Sequence, residues 1–235
     1  MFSKWRISVI FALSIFLVLI IGSYAAEWKK EDIGTVGGSD DYDAKTGQWT
    51  IHADGADIWD VTDGFRYIYQ QVSGDFEISA RLVSLQNTNG WAKAGVMARG
   101  SNTPVSWFAW SFVTVGNGTT FQWRLVDKER CWPDGAGLAG AAPYFVKTVR
   151  KGSIFSGYRS LDGVKWENNN SVAQPNNVEI KNITDPILVG LASTSHSAGA
   201  ICKAEFDSLE ASFLPKAVKP GGKATTTWAE IKNRH

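Results

Sequence analysis

The stretch Trp91-Ala92-Lys93-Ala94-Gly95-Val96-Met97-Ala98-Arg99 decides the fold class. Its even-numbered residues are small and apolar, whereas its odd-numbered residues include Trp91, Lys93, Met97 and Arg99. A period of two marks a strand, because successive side chains leave a pleated backbone on opposite faces. Working outward, Phe76, Ile78, Ala80 and Leu82 alternate with Glu77, Ser79 and Arg81, and Phe121, Trp123 and Leu125 alternate with Gln122 and Arg124. Further apolar runs cover 65–70, 107–114, 144–149, 154–158, 187–193 and 204–213, with turns such as Ser73-Gly74-Asp75 and Asn87-Thr88-Asn89-Gly90 between them. No stretch after Ala26 keeps a 3.6-residue apolar period. Many short strands at near-regular spacing predict an all-β, antiparallel two-sheet sandwich.

Composition agrees. The 235 residues are 44% hydrophobic and 12% aromatic, with 11 Trp, 12 Phe, 6 Tyr and 23 Gly but 2 Met, a balance that favours strands and turns. Twenty-four basic against 23 acidic side chains, a net charge of +1, give no electrostatic reason to expect a nucleic-acid partner or a polybasic membrane contact.

The chain starts with an address. Lys4 and Arg6 precede the apolar run 7–21, and Gly22-Ser23-Tyr24-Ala25-Ala26 supplies small residues for cleavage. The run is shorter than the ~20 residues of a spanning helix. Residues 1–26 therefore read as a secretory signal peptide, with a secreted, periplasmic or cell-surface destination and no membrane attachment after cleavage. Residues 27–213 are the expected folded domain. From Leu214 the composition turns to Pro, Gly and Lys, so 214–235 reads as a linker and flexible tail; Trp228 leaves docking to a protein partner as the alternative. An oxidising compartment would let Cys131 and Cys202 form a disulfide, and two buried free thiols are the other option.

Motifs for catalysis are thin. Gly135-Ala136-Gly137-Leu138-Ala139-Gly140 matches a dinucleotide fingerprint but lacks the flanking strand and helix, and reads as a mobile surface loop. There is no H-E-x-x-H or G-x-S-x-G. Glu205 and Asp207 sit at i and i+2 but belong to an edge-like strand, so no convincing acid/base pair emerges and the balance leans away from an enzyme. No cofactor is implied. Calcium is the one metal worth testing, through Asp40, Asp41 and Asp43 or through Asp54, Asp57, Asp60 and Asp63.

Several segments taken in order resemble a known family: Gly55-Ala56-Asp57-Ile58-Trp59, Asp63-Gly64-Phe65, Val72-Ser73-Gly74-Asp75-Phe76, the Trp91 to Arg99 stretch, Phe121-Gln122-Trp123-Arg124, Ala142-Pro143-Tyr144, the Ser160 to Trp166 stretch, Val189-Gly190-Leu191-Ala192 and Ser195-His196. Together they resemble the regulation-of-enolase-like family. The resemblance implies a jelly-roll sandwich of the concanavalin A-like lectin/glucanase (laminin G-like) type and a link to glycans, with no catalytic residues to carry over.

Alternation then gives a candidate site. If the alanines of 92–98 and the aromatics of 121–125 face the core, Lys93, Arg99, Gln122 and Arg124 face the other way. With Trp91, Trp132 and His196 nearby, they would offer flat rings for sugar C–H faces and planar donors for hydroxyls. The expected function is carbohydrate binding without catalysis in a groove on one sheet. A polysaccharide hydrolase or lyase, and a structural or adhesive surface protein, are the alternatives.

Overall fold

A computed structural model describes residues 27–170 and 173–215, so the expected signal peptide and residues 216–235 of the tail lie outside the described residues. Sixteen strands occur among the described residues, and every regular element is a strand. They are β1 (Lys29–Ile33), β2 (Ser39–Asp43), β3 (Gln48–Ala53), β4 (Ile58–Trp59), β5 (Thr62–Asp63), β6 (Phe65–Val72), β7 (Phe76–Leu85) and β8 (Lys93–Arg99). There follow β9 (Phe108–Thr114), β10 (Thr119–Arg124), β11 (Tyr144–Lys151), β12 (Ile154–Ser160), β13 (Glu167–Asn168), β14 (Asn177–Glu179), β15 (Ile187–Thr194) and β16 (Cys202–Ala211).

Two large antiparallel sheets result. The six-stranded sheet runs β1-β6-β15-β8-β9-β10, and the eight-stranded sheet runs β13-β12-β11-β7-β16-β3-β2 with β14 on β12. The small apolar set behaves as its alternation requires. Ala94, Val96 and Ala98 meet Ile51, Ile78, Leu82, Val146 and Phe206 of the facing sheet in one core. Gly95 shows how tight the strand spacing is, since an added Cβ would lie 2.1 Å from the Ser111 carbonyl oxygen. The backbone approach leaves room only for glycine.

The two sheets differ in their outer faces. β7 alternates buried with partly exposed residues, as a half-solvated strand does. β8, β9, β10 and β15 are buried at every position. A second apolar cluster explains this: Ile33, Phe65, Tyr67, Tyr69, Met97, Phe108, Trp110 and Phe112 of the sheet pack under Ile58, Trp59 and Cys131. The small β4–β5 hairpin and the loop after β10 thus form a partial third layer. The groove expected to be open along this face is largely filled.

Four expectations need correction. Glu205 and Asp207 lie on β16, an inner strand between β7 and β3 and not an edge. Cys131 lies in the outer cluster and Cys202 in the inter-sheet core, and both are free thiols, so they form no disulfide. Leu125 is exposed, because β10 ends at Arg124 before the alternation reaches it. The glycine-rich segment is a fastened loop: Thr119 and Leu138 exchange two backbone hydrogen bonds of 2.8 Å, and the Gly137 amide donates to the Asn117 carbonyl at 2.9 Å.

Candidate functional site

Arg99 and Arg124, both expected to line a groove, are fully enclosed beneath the outer layer. Asp63 of β5 lies between them. Arg99 Nη1 donates to its Oδ2 at 2.6 Å, while Arg124 donates to Oδ2 at 2.7 Å and to Oδ1 at 2.8 Å. The remaining guanidinium N–H groups donate to backbone carbonyls of Asp60, Ser101, Thr103, Ser106 and Glu129. Each guanidinium also lies over a ring, Arg99 on Phe65 and Arg124 on Phe108. Burial lowers the Arg99 pKa, against the opposing pull of Asp63. These arginines fasten the β4–β5 hairpin and two loops onto the sheet, and no ligand reaches them.

The other end of the same face carries a pocket of about 250 Å³ lined by Asp57, Trp59, Trp91, Lys93, Phe112, Gln122, Gly135 and His196. Four of the residues expected from sequence, Trp91, Lys93, Gln122 and His196, therefore come together. Trp132 lies outside the pocket lining. Asp57, Trp59, Phe112 and Gly135 join from segments that the alternation argument did not place there. Of the aspartates of the second calcium candidate, three have partners within the protein. Asp54 accepts from the amides of Gly55 and Gly199, Asp57 holds Lys93, and Asp63 holds the arginines. Among the described residues no group of three or more His, Cys, Asp or Glu is placed to hold a metal ion.

Local geometry explains how the site is assembled. Gly55 adopts a φ of 143°, and an added Cβ would meet the Gly64 carbonyl oxygen at 1.8 Å, so only glycine lets the hairpin base close. The Gly55 carbonyl in turn accepts from Ser195 Oγ and the Ser197 amide, each at 3.1 Å. That ties the turn after β15 to the hairpin. It also holds His196 at a φ of 52°, a left-handed conformation uncommon outside glycine.

The charges form one chain. Lys93 Nζ donates to Asp57 Oδ1 at 2.6 Å, the Ile58 amide donates to the same oxygen at 2.7 Å, and His196 Nε2 lies 3.0 Å from Asp57 Oδ2. Lys93 starts β8 on the outward face, with a side chain only 2% exposed. Its ammonium lies 5.7, 5.9 and 5.6 Å from the rings of Trp59, Trp91 and Phe112. The carboxylate and three aromatic faces together offset the cost of taking that cation out of water. Gln122, on β10, is buried, and its Oε1 is enclosed with no hydrogen-bond partner. An enclosed acceptor without a donor costs roughly 1–3 kcal/mol. The pocket thus combines flat rings with one fixed ion pair.

The molecule belongs to the class of two-sheet antiparallel β-sandwiches. No protein-family model matches the chain, and no curated protein matches its sequence. Among solved structures, a functionally unknown protein from Saccharomyces cerevisiae is similar with a TM-score of 0.61 and 16% identity, over 80% of this chain and 97% of that one. The GH43 BlXynB protein from Bacillus licheniformis is similar with a TM-score of 0.53 and 14% identity, over 75% of this chain and 37% of that one. This chain thus spans little more than a third of the bacterial protein. At these identities the likeness is one of fold.

Proposed function

We propose that the chain is an exported, non-catalytic β-sandwich of the concanavalin A-like jelly-roll type, which binds carbohydrate in the Asp57–Lys93–His196 pocket. The observation that carries the reading is the pocket itself, in which Trp59, Trp91 and Phe112 stand beside the Lys93–Asp57 pair, His196 and Gln122. A sugar offers an apolar C–H face to lie on a ring and hydroxyls for the polar groups beside it. Four segments that carry the resemblance to the regulation-of-enolase-like family supply Asp57 and Trp59, Trp91 and Lys93, Gln122, and His196 to this lining. The fold shared with part of a GH43 protein is compatible with carbohydrate-related work. Hydrolysis by two carboxylates is less well supported, because Asp57 is the one carboxylate among the described residues lining the pocket. The basic, apolar and then small residues of 1–26 support export.

The test is a glycan array with the purified chain, run with and without a calcium chelator. Trp91→Ala and Gln122→Leu variants with unchanged melting temperatures are probed alongside it. The expected result is binding to a defined glycan group that both variants lose. Binding that survives both substitutions, or no binding to any glycan class, would overturn the pocket reading.

A further inference from the structure

The pocket of about 250 Å³ falls below the ~300–1,000 Å³ typical of sites that enclose a drug-sized ligand. It can enclose one sugar ring and little more, so the rest of a longer glycan would have to leave across the surface beside it. That surface is already built. Trp59, a wall of the pocket, has the Arg130 guanidinium 5.7 Å from its ring, and the same guanidinium lies 5.4 Å from the ring of Trp132. Two indoles thus share one cation between them, and Trp132 stands one guanidinium away from the pocket wall.

Trp132 is the only tryptophan among the exposed large hydrophobic residues of the described chain, with 49% of its surface open. Its position is fixed despite that exposure. Its amide donates to the Trp123 carbonyl at 2.8 Å and its carbonyl accepts from the Trp123 amide at 2.7 Å, so the residue is fastened to β10. Arg130 is held as well, by two 2.9 Å hydrogen bonds from Nη2 to the two carboxylate oxygens of Asp134. A flat apolar ring on an immobile backbone can bind with little ordering cost.

The charges along this track identify the ligand further. Lys93 is matched by Asp57 and Arg130 by Asp134, so each cation already has its carboxylate. The track offers stacking and hydroxyl-directed hydrogen bonds but no uncompensated positive charge to attract a uronate or sulfated chain.

Building on the carbohydrate-binding reading above, we infer that Trp132 and Arg130 form a second subsite outside the pocket, and that the ligand is a neutral oligosaccharide of at least two units. One unit occupies the pocket and the next lies against the Trp132 ring.

The experiment uses the full chain, an array holding neutral, uronate and sulfated oligosaccharides, and then calorimetry. The best-binding glycan is titrated as monosaccharide, disaccharide and trisaccharide at low and high salt, against wild type, Trp132→Ala and Trp132→Phe. Wild type should bind the disaccharide about tenfold more tightly than the monosaccharide, the scale of one aromatic contact. Trp132→Ala should abolish that increment and leave monosaccharide affinity unchanged. Trp132→Phe should keep most of it, and salt should change affinity little. The inference is overturned if length adds nothing, if Trp132→Ala weakens monosaccharide and disaccharide equally, or if a charged chain binds best. Failure of the underlying reading looks different: no glycan on the array binds, or binding ignores Gln122→Leu. Monosaccharide binding that depends on Gln122 without any gain from length would keep the pocket and remove the second subsite.

Discussion

Asp63 carries one negative charge between two guanidinium groups that have no exposure to solvent. Removing its charge leaves two buried cations held by carbonyls alone, and breaking a buried ion pair costs about 3–5 kcal/mol. Asp63→Asn should therefore lower the unfolding free energy by about that amount in urea denaturation, and a loss under ~1 kcal/mol would show that the cations are compensated elsewhere. The two thiols give a second residue-level prediction. Burial pushes the Cys131 thiol up to about 12 and raises that of Cys202. Neither should react with a disulfide reagent in the native protein near neutral pH; both should react once the chain is denatured, and a reductant should leave the melting temperature unchanged. At this scale the sequence is a partial guide. Lys93, Arg99, Gln122 and Arg124 do share a face, as their spacing requires. What spacing cannot tell is that Asp63, arriving from a hairpin some 36 residues before Arg99, takes two of them out of reach of any ligand.

The individual strands are legible because their alternation is local, whereas the cover over the six-stranded sheet is assembled from loops distant in the chain. One signal for that cover is nevertheless present. In β9, Phe108, Trp110 and Phe112 face one way while Ala109, Ser111 and Val113 face the other, so neither face reads as solvated. The loop after β10 is the element on which the pocket and the track beside it both depend, and Gly137 is its tightest point. A Cβ there would lie 2.1 Å from the Thr119 carbonyl oxygen, a backbone atom that cannot turn aside. Gly137→Ala should destabilise the protein by about 1–3 kcal/mol, as overpacking does. It should also weaken glycan binding, since Trp132 and Gly135 belong to the same loop. Calorimetry and a melting curve on one variant check both; full binding with a native melting temperature would mean that the loop tolerates release from β10.

For the molecule as a whole, acid is the condition that tests how the parts are joined. Asp40 of β2 accepts from Arg66 of β6 and pairs with Lys30 of β1, so one carboxylate links the edges of both sheets. Burial opposes its ionisation, but the hydrogen bonds and charges of Arg66 and Lys30 hold it below its usual value. Hydrogen bonds from Arg81 and Arg150 do the same for Asp207 and Asp185. Carboxylates that titrate lower in the folded state contribute stability above their unfolded pKa and lose it as pH falls through the folded one. The melting temperature should thus stay level from neutral pH down to about pH 5 and fall below about pH 4, the usual Asp range. Asp40→Asn should flatten part of that fall, and a profile identical to wild type would remove Asp40 from the account.

The strand order also bears on how the protein is made. β15 lies between β6 and β8, and β16 lies between β7 and β3, so the two strands latest in the described chain occupy inner places in both sheets. Until Ile187 and the residues after it are synthesised, four strand edges stand open and neither sheet can close. A chain cut short anywhere before that point is no smaller version of this sandwich but two unfinished sheets, and its exposed edges are templates for aggregation.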